Sequence, residues 1–107
     1  MKILIIEPGK DPCREEISSS LEAMQKVVGG YIQAVYPFED HVALICNEEG
    51  KLLGLPFNRR LVDEETGVVY DYIAGTFFLC AAPADADDFA SLTEEQLERF
   101  EAYYRWR

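Results

Sequence analysis

The sequence predicts an α+β fold: a single compact domain, residues 1–107, in which a mostly antiparallel β-sheet carries two helices, at about residues 19–29 and 93–106, packed against it. Three observations predict this. Two segments with apolar residues at helical spacing each start at a Ser or Thr followed three residues later by Glu or Gln. Two runs, Ile3–Ile6 and Ile73–Ala81, are rich in β-formers and apolar at both alternations, as strands covered on both faces are. The segments between them are short, bounded by turn residues, and show no repeat, low-complexity tract or linker. At 107 residues and 49% hydrophobic, the chain has the length of one domain and enough apolar content for a core without metal or disulfide staples.

The elements follow in order. Ile3-Leu4-Ile5-Ile6 is read as a strand, and Glu7 to Pro12, with two prolines and a glycine, turns the chain. Arg14–Ile17 is a short strand returning beside the first. Ser19 and Glu22 have capping-box spacing, and Leu21, Met24 and Val28 form a helical face that Gly29-Gly30 ends. Tyr31–Tyr36 is a strand closed by Pro37. His41–Cys46 and Lys51–Leu55 flank Asn47-Glu48-Glu49-Gly50, which predicts a hairpin. Asn58–Val62 is read as an irregular helical turn, Asp63–Gly67 as an acidic surface turn, and Val68–Tyr70 as locally paired. Ile73–Ala81 belongs at the centre of the sheet. After the loop Pro83–Ala90, Thr93 and Gln96 give a second capping box and Leu92 and Leu97 a hydrophobic staple. Leu97, Phe100 and Tyr104 form the apolar stripe of this helix, widened by Tyr103 and Trp106, while Arg105 and Arg107 suit the negative end of its dipole.

Composition excludes several functions. Twenty acids against ten bases give a formal charge of -10, so no direct nucleic-acid binding is expected, because a binder needs a basic face to displace phosphate counterions. The longest apolar stretch, Tyr72–Ala84, is 13 residues and contains Gly75, too short for a membrane span. An odd cysteine count without a CxxC reads as reduced thiols in a cytoplasm.

Catalytic and metal sets are hard to assemble. His41 is the one histidine, and its odd spacing from Cys46 on a strand points the two to opposite faces. Asp85, Asp87 and Asp88 resemble the start of a calcium loop, but Phe89, Ala90 and Gln96 occupy its later key positions. Gly9-Lys10 lacks a phosphate-cradle context, and Gly29-Gly30 ends a helix where a dinucleotide motif would open one. No cofactor is expected and no catalytic or metal-ligating residue is assigned. Two features rise above this background. From Leu61 to Glu98 the chain has ten Asp or Glu and no Lys or Arg. Asn58, Arg59 and Arg60 could read a carboxylate or phosphate, or pair with the acidic turn that follows.

Five segments taken together resemble a known family: Lys2–Lys10; Leu21–Ile32, closing in Val28-Gly29-Gly30-Tyr31-Ile32; Asn47–Leu52; Gly54–Arg59; and Asp71–Phe78. In this order they are similar to the domain of unknown function 3846 of Firmicutes, phages and conjugative elements, over nearly the whole chain. The resemblance brings no established activity. It implies a small cytoplasmic accessory protein of mobile-element or phage origin, and it directs attention to Gly30, Tyr31, Asn47, Asn58, Arg59 and Asp71 as ligand- or partner-binding candidates.

The sequence therefore reads first as a non-enzymatic module binding an unidentified protein partner, through the acidic segment or an open sheet edge. The alternatives are a module for a nucleotide or other small anion, using Asn58, Arg59 and Asp71, and a DNA-mimicking inhibitor built on the acidic segment. Tyr31, Tyr36, Phe38 and Trp106 are candidates for a homodimer seam.

Overall fold

Two strands in this chain are buried along their whole length, and they organise everything else. The structure, a computed structural model, describes residues 1–106; the expectation for Arg107 lies outside the described residues. β1 (Lys2–Ile6), β2 (Cys13–Glu16), β3 (Ile32–Val35), β4 (Val42–Asn47) and β7 (Phe77–Ala81) form a five-stranded sheet in the order β2-β1-β7-β4-β3, with every neighbouring pair antiparallel. Every residue of β4 and β7 is buried. β5 (Phe57–Val62) and β6 (Val69–Ala74) pair separately as a two-stranded antiparallel ribbon. The helices are α1 (Leu21–Val28) and α2 (Glu94–Tyr103).

The period-two alternation of each strand sorts the core into two layers. Met24 and Val28 of α1 pack with Ile3, Ala43, Ile45 and Phe78 on one face. On the other, Leu97 and Phe100 of α2 pack with Leu4, Leu44 and Leu79, and Leu61 and Ile73 of the ribbon join this same layer. A sheet covered on both faces is why the central strands read as continuous apolar runs.

The α+β expectation, the central placement of Phe77–Ala81 and the Thr93–Gln96 capping box all hold: the Thr93 hydroxyl accepts from the Gln96 amide at 3.1 Å and the Gln96 side-chain oxygen accepts from the Thr93 amide at 2.9 Å. Five local readings are corrected. The cap of α1 is Ser20, which accepts from the Ala23 amide, so Ser19 and Glu22 make no capping box. α2 ends at Tyr103 with Tyr104 as its C-cap, and its last turn holds no basic residue.

Lys51–Leu55 is not a hairpin arm. β4 already has β3 and β7 on its two sides, so the segment folds into a helical turn in which the Leu53 amide donates to the Glu49 carbonyl at 2.9 Å. Gly50 is required there, because a Cβ would stand 2.5 Å from the Ala74 carbonyl oxygen. Asn58–Val62 is strand β5 and not a helical turn, and Ile73–Ala81 is two strands. Gly75, at φ 87°, reverses the chain so that Ile73 and Ala74 pair with β5 while Phe77 onward enters the main sheet.

Candidate functional site

The candidate residues fall into three groups, set by where the ribbon meets the sheet. Asn58 is the extra residue of a β-bulge: Phe57 pairs with Ala74 and Arg59 with Ile73, so Asn58 turns inward and is 0% exposed. Its amide nitrogen donates to the Ile6 carbonyl and to the Gly75 carbonyl, each at 2.8 Å, and its oxygen accepts from Arg59 Nη1 at 2.8 Å. One side chain thus ties the ribbon to the end of β1 and to the β6–β7 reversal. Arg59 completes the clamp. Its Nε and Nη2 donate to the Tyr104 carbonyl at the end of α2, Nη2 also donates to the Lys10 carbonyl, and the guanidinium stacks on Trp106 at 4.8 Å. Desolvation lowers the Arg59 pKa.

Asn47 and Tyr31 form a second group at the end of α1. The Asn47 amide donates to the Val28 carbonyl at 3.2 Å and its oxygen accepts from the Glu49 amide at 2.8 Å. Asn47 lies against Gly30, where a Cβ would come within 2.9 Å of the amide nitrogen. Tyr31 uses its backbone carbonyl, which accepts from the Glu48 amide, and leaves its ring 66% exposed.

Asp71 stands apart from Asn58 and Arg59. It pairs with Lys51 at the edge of a cleft of about 420 Å³ between β3–β4 and the ribbon, bordered also by Gln33, Cys46, Asn47 and Tyr72. Hydrogen bonding from Lys51, then from the Tyr72 amide, holds the Asp71 carboxyl below its ordinary range, and the same bond raises Lys51. Burial raises the Cys46 thiol pKa at this cleft, which disfavours its thiolate. Cys80 is likewise pushed up to about 12 by burial. Asn58 and Arg59 border neither this cleft nor the shallower groove that Asp71 also lines.

That second groove, about 500 Å³, lies on the outward face of the ribbon and is lined by Leu55, Phe57, Arg60, Val69 and Tyr72 together with Asp71. The Phe57 and Tyr72 rings sit 6.0 Å apart. A sequence profile described as Domain of unknown function (DUF3846) matches residues 1–105. The chain belongs to this family. No curated protein and no solved structure matches it. In this DUF3846 chain Asn47, Asn58 and Arg59 of the motifs Asn47–Leu52 and Gly54–Arg59 have folding partners, while Phe57 of Gly54–Arg59 and Tyr72 of Asp71–Phe78 face outward.

Those outward residues were missed because Asn58–Val62 reads as a turn until the bulge is seen. The usable signal was Phe57 and Arg60 opposite a β-rich Val69–Tyr72. His41 is exposed and borders a groove with Asp40, Asp85 and Gln96 that no cysteine lines. Cys46 shares the sheet face of Val42 and Leu44. Among the described residues no three His, Cys, Asp or Glu side chains are grouped to hold a metal, and no helix is long and apolar enough to cross a membrane. The ten acids of 61–98 are divided among the β5–β6 turn, β6, a loop and α2, and Glu64, Asp71 and Glu94 already pair with Arg99, Lys51 and Arg14.

Proposed function

We propose that this chain is a non-enzymatic interaction accessory of cytoplasm, of mobile-element or phage origin, that binds a protein partner through the outward face of the β5–β6 ribbon. One observation carries the reading. Phe57, Val69 and Tyr72 are 50%, 49% and 42% exposed on one small surface, beside Leu55 and with Arg60 among them. Apolar area left in water forgoes roughly 25 cal/mol per Å² of burial, and a clustered face of Phe, Tyr and Arg has the composition of an interface centre. The fold does not need this face, because the ribbon is held from its inner side by Leu61, Ile73, Asn58 and Arg59.

A photoreactive amino acid at Tyr72, expressed in a native host, tests this, with the same probe at Glu16 on β2 as control. The expected result is a discrete crosslinked polypeptide from position 72 and none from position 16. Equal labelling at both positions, or none at either, contradicts the reading.

The small-ligand alternative keeps one supporting feature, the cleft with its Lys51–Asp71 pair, whose charges could each engage a polar ligand of opposite sign. It no longer draws on Asn58 or Arg59. A thermal shift with a nucleotide panel that Lys51→Ala abolishes would favour it.

A further inference from the structure

The five-stranded sheet ends in two free edges of opposite character. β2 is Cys-Arg-Glu-Glu, and Arg14 is engaged by α2, with Nε and Nη2 donating to Glu101 and Nη1 to Glu94. Among the described residues Glu15 and Glu16 make no ion pair, and their carboxylates repel another acidic chain. β3 is Ile-Gln-Ala-Val, with no ionisable residue. The ribbon strands differ from it too, since β5 carries Arg59 and Arg60 and β6 carries Asp71. On a chain of formal charge -10, β3 is the strand edge that another copy can approach without confronting like charge.

The backbone of β3 can be assigned group by group. The Glu48 amide donates to the Tyr31 carbonyl at 2.8 Å, and this pair continues the β3–β4 register of Ile32 with Asn47 and Gln33 with Cys46. Antiparallel ladders alternate bonded and non-bonded pairs, so Tyr31, Gln33 and Val35 turn their N–H and C=O toward β4. Ile32 and Ala34 turn theirs outward, and among the described residues no hydrogen bond reaches them. Tyr31 and Tyr36 flank this edge, 66% and 62% exposed. The other two aromatics that could have formed a seam are engaged within the chain: Phe38 packs on Phe100 at 4.7 Å and Trp106 lies under Arg59.

We propose that a second copy of this chain pairs antiparallel with β3 across a two-fold axis, joining the two sheets edge to edge. The outward groups fix the register, because only even-numbered positions can face even-numbered ones. Centring the axis on Ala34 sets Ala34 opposite the partner's Ala34, Ile32 opposite the partner's Tyr36, and Gln33 opposite the partner's Val35. This arrangement satisfies the free backbone groups of Ile32 and Ala34 in both copies and covers Tyr36 with an apolar neighbour. Centring on Gln33 would leave Tyr36 outside. The contact is independent of the ribbon face.

Sedimentation equilibrium of the full chain tests it, over concentrations on the order of micromolar to millimolar. The mass is expected to rise from 12.2 kDa toward twice that value. Ala34→Pro removes one outward N–H and no bond to β4, a substitution an edge strand accommodates; it should weaken the dimer by at least about tenfold while keeping the thermal midpoint. Amide exchange on the wild type gives a second reading that needs no variant: Ile32 and Ala34 should exchange more slowly as concentration rises, and β2 amides should not. A mass that stays monomeric overturns the inference. So does a dimer that Ala34→Pro leaves intact and Phe57→Glu dissolves, which would assign self-association to the ribbon; the crosslinking test at Tyr72 is unaffected by a monomeric result.

Discussion

The main sheet and the β5–β6 ribbon are both antiparallel, yet they are held by different physics. β1, β4 and β7 are sunk between α1 on one side and α2 with the ribbon on the other, so apolar burial on two faces secures them. The ribbon buries one face only, through Leu61 and Ile73, and is pinned to the sheet by polar side chains bonding main-chain groups. A region attached by a few specific hydrogen bonds can keep its other face free. That freedom leaves Phe57, Val69 and Tyr72 of the ribbon in solvent while both faces of the central strands are covered.

The sharpest way to break the comparison is Asn58→Ala. It leaves two buried carbonyls and one Arg59 N–H without their partner, and each unmet buried group costs roughly 1–3 kcal/mol, so a loss of about 3–4 kcal/mol is expected in denaturant unfolding. A loss under about 1 kcal/mol would mean that burial alone holds the ribbon. Arg59→Lys is next. A lysine keeps the charge but cannot reach the Tyr104 and Lys10 carbonyls and the Asn58 oxygen at once, and a loss of about 1–2 kcal/mol is expected. Full rescue by lysine would show that charge and not the fork matters.

The smallest effect concerns the link between β2 and α2. Hydrogen bonding from Arg14 holds the Glu101 carboxyl below its ordinary 4.5. A carboxyl lowered on folding adds stability above its unfolded pKa, and that stability is lost as pH falls through the lowered folded value. Glu101→Gln should therefore cost about 1–3 °C in thermal midpoint at neutral pH and flatten the decline below pH 4.5. Asp63 and Asp71, lowered in the same direction, keep part of the acid dependence in place.

The same contrast explains what was legible in the sequence. Burial on two faces writes itself as apolar runs, so Ile3–Ile6 and the strand through Phe77–Ala81 could be read, as could α2 from its cap and staple. The ribbon could not. A bulge at Asn58 breaks the period of two, and Gly75 splits one apolar run between two sheets, events decided by tertiary hydrogen bonds that no local pattern carries. In the sequence Asn47 reads as a turn residue, and Asn58 and Arg59 read as ligand contacts or, for the arginine, as a partner of the acidic turn. Their explanation is a distant main-chain carbonyl in each case: Val28 for Asn47, Ile6 for Asn58 and Tyr104 for Arg59.

The central claim is that the ribbon's inner face holds the fold while its outer face binds. Phe57→Glu with Tyr72→Glu tests it directly, by measuring unfolding free energy beside partner crosslinking from a probe at Val69. The account predicts stability within about 0.5 kcal/mol of the wild type and loss of the crosslink. A large drop in stability, or an undiminished crosslink at full stability, would contradict it.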